Sequence, residues 1–381
     1  MPEQLLQFHQ WLLTDRNRTC GYQQAINQII KQNDVVLDIG AGSGVLSFFA
    51  CLAGARRVYA VEQNDIVSLA RLLCDANGFS DRILFIRDRS QNIKLPEPVD
   101  VIVTDTGASF GLQGGTLGAL LDARRRFLKP EGQILPQSVD LFVAPAEMNP
   151  AQRLDVWNAE QFGLDFSAGR PFATSTIYQV SLGGANVLAD AALIANVCFK
   201  DAESSYVEGE AVSVSQRDGV MHGVGAWMRV NLIPGVSFTN SPINPTVDWA
   251  RSFFPIETPV LLRPGDTVRT KISTYDGKEW RWQVEIIEGE TSSEPGKVKA
   301  RFDHSTLGSF PIRPEQLKKK LPEYAPRLSR KGEAEAYVLS VCDGKRTSKE
   351  IAEEVLARFA DCFPTKTAAT EFVSKIVERC S

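Results

Sequence analysis

Residues 35–44, VVLDIGAGSG, constrain this chain more than any other stretch. An apolar run closes on Asp38, and Gly40, Gly42 and Gly44 then precede GVLSFFACLAG, which carries helical spacing. That is a buried strand, a turn tight enough to need glycine, and a helix whose first N–H groups are free to meet a ligand. RVYAVE, RILFIRD, VDVIVTD and GQILP repeat the strand pattern, with the amphipathic DIVSLARLLCDAN and TLGALLDARRRFL between them. Alternating strands and helices predict an α/β domain over residues 1–136, a doubly wound, mostly parallel Rossmann-like sheet. Its ligand site is expected beyond the carboxyl ends of the strands.

The texture changes after Pro136. SVDLFVAPAE, ALIANVCFK, GEAVSVSQ, GVGAWMRVNLI and KEWRWQVEII are short strands, and Asp276-Gly277 is the plainest turn among them. We expect an antiparallel β-barrel domain, or a sandwich, over 137–312. Residues 313–334 are charged and punctuated by proline, a linker in which Lys318, Lys319 and Lys320 are solvated. Residues 335–381 then hold three helical patterns, AEAYVLSV, TSKEIAEEVLARF and AATEFVSKIVERC, the second opened by a Thr347/Ser348 cap. A chain of 381 residues exceeds what one core usually supports, in line with several domains.

Composition removes several classes of function. A net charge of -4 gives no global attraction for nucleic acid or anionic membrane. The seven cysteines are scattered and never spaced C-x-x-C, against a disulfide framework or a structural metal. No apolar run has the ~20 residues of a membrane span, and the N-terminus lacks signal-peptide character, so a cytosolic protein is expected.

The glycine loop alone does not separate cofactors, because nicotinamide enzymes use a similar turn. Two features favour S-adenosylmethionine: a G-x-G-x-x-G reading puts Val45 at its third glycine, and Asp38 stands before the loop. Glu62 ends the second strand, where a carboxylate can accept both ribose hydroxyls of an adenosine.

HQWLLTDRNRTCGYQQAI, the two strand–loop motifs above, ARRRFLKPEGQILP and FTNSPINPTVDWARSFFPIETPV together resemble the protein arginine methyltransferase family over roughly residues 5 to 310. The resemblance implies that His9, Arg18 and Tyr22 lie on helices closing over the cofactor, with Arg18 on the methionine carboxylate. It places Gly40, Gly42 and Gly44 along the methionine, Glu62 on the ribose, and Ser90 or Gln91 at the adenine. It also implies a homodimer, joined by an arm matching Gly163–Val187.

The chain departs from the family at the acceptor. Where the family grips a guanidinium with two loop glutamates, this sequence has Asp105 and Gly114, and the family's Thr-His-Trp reads Val247-Asp248-Trp249. A guanidinium stays protonated at ordinary pH and needs carboxylates to hold it. Asp105 with Asp248 is one way to restore the pair; the other reading is that Asp248 caps a turn and the acceptor differs. Arg124, Arg125 and Arg126 read as a solvated cationic face near a helix end. The tail resembles PqqD-like, winged-helix peptide-binding modules, which implies a ribosomally made precursor peptide as substrate. The expected function is therefore methyl transfer to a side chain of a peptide or protein; a non-catalytic cofactor-binding scaffold and a small-molecule methyltransferase are the alternatives.

Overall fold

Val35–Ile39 (β1) is buried at every position, as a strand covered on both faces must be. In this computed structural model β1 is central to a parallel sheet with β2 (Arg57–Val61), β3 (Ile83–Ile86), β4 (Val99–Thr104) and β5 (Leu128–Leu135). The order is β3-β2-β1-β4-β5, so the chain reverses its direction of travel across the sheet between β1 and β4. A crevice opens at such a reversal, outside the carboxyl ends of the strands. Helices α1 (Pro2–Thr14) and α2 (Arg16–Ile29) precede the sheet, and α3 (Val45–Leu52), α4 (Val67–Ala76) and α5 (Thr116–Phe127) connect its strands. Asp15 caps α2 by accepting from the Arg18 N–H. The structure describes residues 2–105, 108–148, 154–157, 160–289, 296–311, 314–319 and 321–380; Thr106 and Gly107 of the loop between β4 and α5, and Lys320, lie outside them.

The second sheet region begins with β6 (Ser138–Ala146), followed by a two-strand ribbon of β7 (Glu160–Gln161) and β8 (Leu164–Asp165) and a one-turn helix α6 (Arg170–Thr174). Then come β9 (Tyr178–Val180), β10 (Ala192–Cys198), β11 (Tyr206–Val214), β12 (Gly219–Ile233), β13 (Val236–Thr239), β14 (Arg251–Leu262), β15 (Thr267–Tyr275), β16 (Glu279–Ile287) and β17 (Val298–Ser305). They do not close into the expected barrel. Among the described residues they pair as two antiparallel sheets, β10-β6-β12-β14-β9 with β13 against β12, and β11-β15-β16-β17. Consecutive strands β10 and β11 fall in different sheets, which leaves an edge on each. Trp227, Trp280 and Trp282 are all buried, and the indole N–H groups of Trp280 and Trp282 donate to the carbonyls of Gly277 and Pro255. One continuous core runs from Tyr22 through β1 and β4 to Trp282.

The chain divides into two compact units, Met1–Pro311 and Ile312–Ser381. In the second, α7 (Pro314–Lys318) is followed by α8 (Arg330–Val341), α9 (Ser348–Arg358) and α10 (Lys366–Cys380). Helix α8 starts at Arg330, inside the expected linker, because Ser329 caps it by accepting from the Gly332 N–H. Thr347 and Glu350 form a reciprocal capping box on α9. Val338, Val355 and Val373 meet in a core of the unit's own. Its described residues contain no strand, so the wing of a winged helix is not formed there.

Of the three arginines of α5, Arg125 is solvated as expected and the other two are engaged by backbone carbonyls. Arg124 donates to the carbonyls of Phe199, Lys200 and Ala202, tying α5 to the β10–β11 turn, and Arg126 donates to those of Ser90, Gln91 and Ile93.

Candidate functional site

A cavity of about 860 Å³ opens at the reversal point, reaching from the loop after β3 to the β15–β16 turn. His9, Gly40, Glu62, Ser90 and Gln91 line it, as does Asp105. Arg18, Tyr22, Asp38, Gly42 and Gly44 are not on its wall. They stand behind it and shape it.

Gly42 shows how. Its φ is +54°, and a Cβ there would lie 2.5 Å from the His9 ring, so only glycine lets α1 lay its imidazole on the loop. Burial pulls the His9 pKa down, with Glu62 opposing and Arg18 adding to the shift. Asp38 is fully buried and accepts from the Ser47 hydroxyl at 2.6 Å, which fixes α3 against β1. Burial pushes its carboxyl up to about 7, Ser47 opposing and Glu62 adding to the rise. Tyr22 is also fully buried; its hydroxyl donates to the Thr104 carbonyl at 2.9 Å, and burial raises its pKa. It is a brace between α2 and β4 and, like Arg18, is not on the cavity wall.

Glu62 is 6% exposed and aims its carboxylate at the glycine loop. Oε2 accepts from the Gly42 N–H at 3.1 Å, and Oε1 accepts from the Asn64 N–H at 2.7 Å and from Nδ2 at 2.9 Å. Beside Ser90 and Gln91, Asp88 Oδ1 accepts from the Asn92 amide and the Arg89 N–H, and these bonds hold its pKa below the usual range. Neither Asn64 nor Asp88 was singled out from sequence, although an Asn two residues after an acid is a short-range pairing signal.

At the other end Arg18 pairs with Asp105 and also donates to the Leu12 carbonyl at 2.5 Å. Its Nε is buried without a hydrogen-bond partner, and burial lowers its pKa. Gly114 lines the cavity with nothing within 4 Å of where a Cβ would be. Next to it Lys278, paired with Asp276 at 2.6 Å, also lines the wall. Asp248 does not. It is exposed and lines a separate cleft of about 480 Å³ beside Asn17, while its neighbour Trp249 turns into the cavity and donates to Asp15 at 2.9 Å. The expected pairing of Asp105 with Asp248 is therefore not assembled: Asp105 lines the cavity, Asp248 lines the neighbouring cleft, and Trp249 borders both.

The parts fit an adenosine-bearing sulfonium cofactor. They offer a buried carboxylate at the end of β2, a loop that a Cβ would fill, and a buried arginine with an unused donor.

Comparison with known proteins agrees. Residues 17–135 match the family model described as ribosomal protein L11 methyltransferase (PrmA), and residues 137–287 match the arginine methyltransferase oligomerization subdomain. The chain is 32% identical over 272 residues to protein arginine N-methyltransferase 6 of Xenopus laevis, covering 67% of this chain and 79% of that protein. It is 33% identical over 324 residues to the probable protein arginine N-methyltransferase 6 of Arabidopsis thaliana, covering 77% and 74%. The fold is similar to that of the Trypanosoma brucei PRMT1 enzyme-prozyme heterotetrameric complex with AdoHcy, with a TM-score of 0.68 and 22% identity over 78% of this chain and 97% of that one. Arabidopsis thaliana protein arginine methyltransferase 10 gives 0.67 and 23%, covering 78% and 97%.

Proposed function

The chain belongs to the protein arginine methyltransferase family, and on that premise we propose that it transfers a methyl group from S-adenosylmethionine to an arginine side chain of a peptide or protein. The observation that carries this reading is the single cavity joining Glu62, Gly40, Ser90 and Gln91 at one end to Asp105 at the other.

Bound there, S-adenosylmethionine supplies a methyl group made electrophilic by its sulfonium. Glu62 would hold the ribose hydroxyls, exchanging the Asn64 side-chain bond it accepts here for them. Ser90 and Gln91 border the base, and His9 on α1 closes over the loop. Arg18 leaves Asp105 for the methionine carboxylate, a planar fork matched to that shape. Asp105 is then free to hold the acceptor guanidinium and to take its released proton. The chemistry the cofactor would supply is a methyl transferable to the acceptor nitrogen's lone pair, the C–S electron pair remaining on sulfur, with Asp105 the residue that would hold that nitrogen and take its proton. Asp248, on the adjoining cleft, holds the peptide flanking the acceptor.

We assign the enzyme to the cytosol; among the described residues no helix is long and apolar enough to cross a membrane. A homodimer through Gly163–Val187 is supported by the oligomerization-subdomain match and by exposed Phe162 and Leu164 at the start of that stretch. The tail is read as a peptide-recognition module.

Titration with S-adenosylmethionine tests the cofactor assignment. Hydrogen bonds to a charged group contribute about 1.5–3 kcal/mol, so Glu62→Ala is expected to weaken binding roughly tenfold or more. Unchanged affinity in that variant removes Glu62 from the site.

A further inference from the structure

Arg126 sits in the last turn of α5, on no wall of the cavity, yet its guanidinium is committed to one loop. Nη1 donates to the carbonyls of Ser90 at 3.2 Å and Gln91 at 3.1 Å and pairs with Asp122 at 2.8 Å, and Nη2 donates to the carbonyl of Ile93. The segment between β3 and β4 contains no helix or strand, so these carbonyls have no ladder to join. Ser90 and Ile93 are buried, and Asp88 to Asn92 line the adenine end of the cavity. Carbonyl dipoles aimed at one point repel one another unless a cation stands there. A planar guanidinium with five donors serves them together, whereas an ammonium is a point charge that does not match their spread.

We propose that Arg126 is the positioning residue of the base-recognising loop, setting both affinity and base selectivity for the cofactor without touching it. The proposal rests on the S-adenosylmethionine reading. Arg126 holds Ser90 and Gln91 against the base, and Asp122 holds Arg126. Losing the guanidinium releases the carbonyls of Ser90, Gln91 and Ile93: the bonds from Arg89 and Asn92 to Asp88 are internal to the loop, and the exposed Arg89 side chain reaching Gln63 at 3.2 Å does not touch those carbonyls.

The experiment titrates S-adenosylhomocysteine and S-inosylhomocysteine, which differs only in the base, into the wild type, Arg126→Ala and Arg126→Lys, beside steady-state kinetics. Arg126→Ala should weaken S-adenosylhomocysteine by ~10-fold or more, as expected for losing charge-assisted bonds, and weaken the inosine ligand much less. The preference for adenine over inosine then collapses, and Arg126→Lys falls between the two. KM for S-adenosylmethionine should rise while kcat at saturation stays within about threefold, the pattern of lost binding rather than lost chemistry. Equal weakening of both ligands would mean general damage, and an unchanged adenine preference would mean the loop holds itself; either overturns the proposal. Should Arg126→Ala fail to fold, Arg126→Lys decides by the same ratio. A wild type that binds neither ligand overturns the cofactor reading itself.

Discussion

Asp38 is a charge placed where charge is costly. Its carboxyl is pushed up to about 7 by complete burial, against an ordinary value near 4 in an unfolded chain. The folded state therefore binds a proton that the unfolded state releases between those two values. A raised folded pKa contributes stability that is present below the unfolded pKa and lost as pH rises through the folded one. Asp38→Asn keeps the acceptor for Ser47 and removes the titration. Denaturant unfolding of the cofactor-free protein should show the wild type losing stability relative to Asp38→Asn from pH ~4 upward, levelling above pH ~7. Parallel profiles would show that Asp38 does not titrate in this window. From the sequence, Asp38 was legible as an acid before the glycine loop and its brace on α3 was not: a strand-end acid at that place looks the same whether it meets ligand or holds a helix. The surroundings of Tyr22 and Asp248 were not legible for a related reason. A resemblance assigns a position along the chain and not what surrounds the side chain there: Tyr22 on α2 is buried with its hydroxyl on the Thr104 carbonyl, and Asp248 borders the cleft beside Asn17.

Among elements, the β15–β16 hairpin shows how the second sheet region completes the acceptor end. Asp276 and Gly277 both take positive φ in a three-residue hairpin connection, Asp276 to Lys278, whose turn is closed by the Lys278 N–H on the Tyr275 carbonyl, and the Asp-Gly pair announced it in the sequence. What the pair does there was not legible, because it depends on a contact across more than a hundred residues. Asp276 accepts from the Gly118 N–H at 2.8 Å, the Gly277 carbonyl accepts from the Gly114 N–H at 3.3 Å, and a Cβ on Gly277 would lie 1.6 Å from the Leu112 carbonyl oxygen. Gly277→Ala must push the turn off the acceptor loop. It should lower stability by roughly 1–3 kcal/mol, the scale of backbone strain, and cut turnover while sparing cofactor affinity, measured by thermal unfolding and by titration. Retained turnover would mean that the loop's position does not depend on the turn. The strands of the parallel sheet were readable as short apolar runs. The two-sheet division was not, since alternation within a strand says nothing about which neighbour it pairs with. Arg124 and Arg126 likewise looked solvated until the carbonyls they serve were brought beside α5 by the fold.

At the scale of the whole molecule, the chain holds two units with separate cores, one containing the cavity and the other built by α8, α9 and α10. A ligand stabilises only what binds it, by about 2.7 kcal/mol at a hundredfold excess over Kd. Calorimetry should therefore resolve two unfolding transitions, of which S-adenosylmethionine raises one. A single transition moving as a whole would mean that the units unfold together. The central claim is methyl transfer to arginine through one loop carboxylate, and it is tested most directly by mass spectrometry of an arginine-bearing peptide incubated with the full chain and S-adenosylmethionine. The account predicts an added methyl on arginine, formed ~10²-fold more slowly by Asp105→Asn, the typical loss for one electrostatic stabiliser, with cofactor binding retained. Bound cofactor with no methyl on arginine, or Asp105→Asn as fast as the wild type, would contradict it.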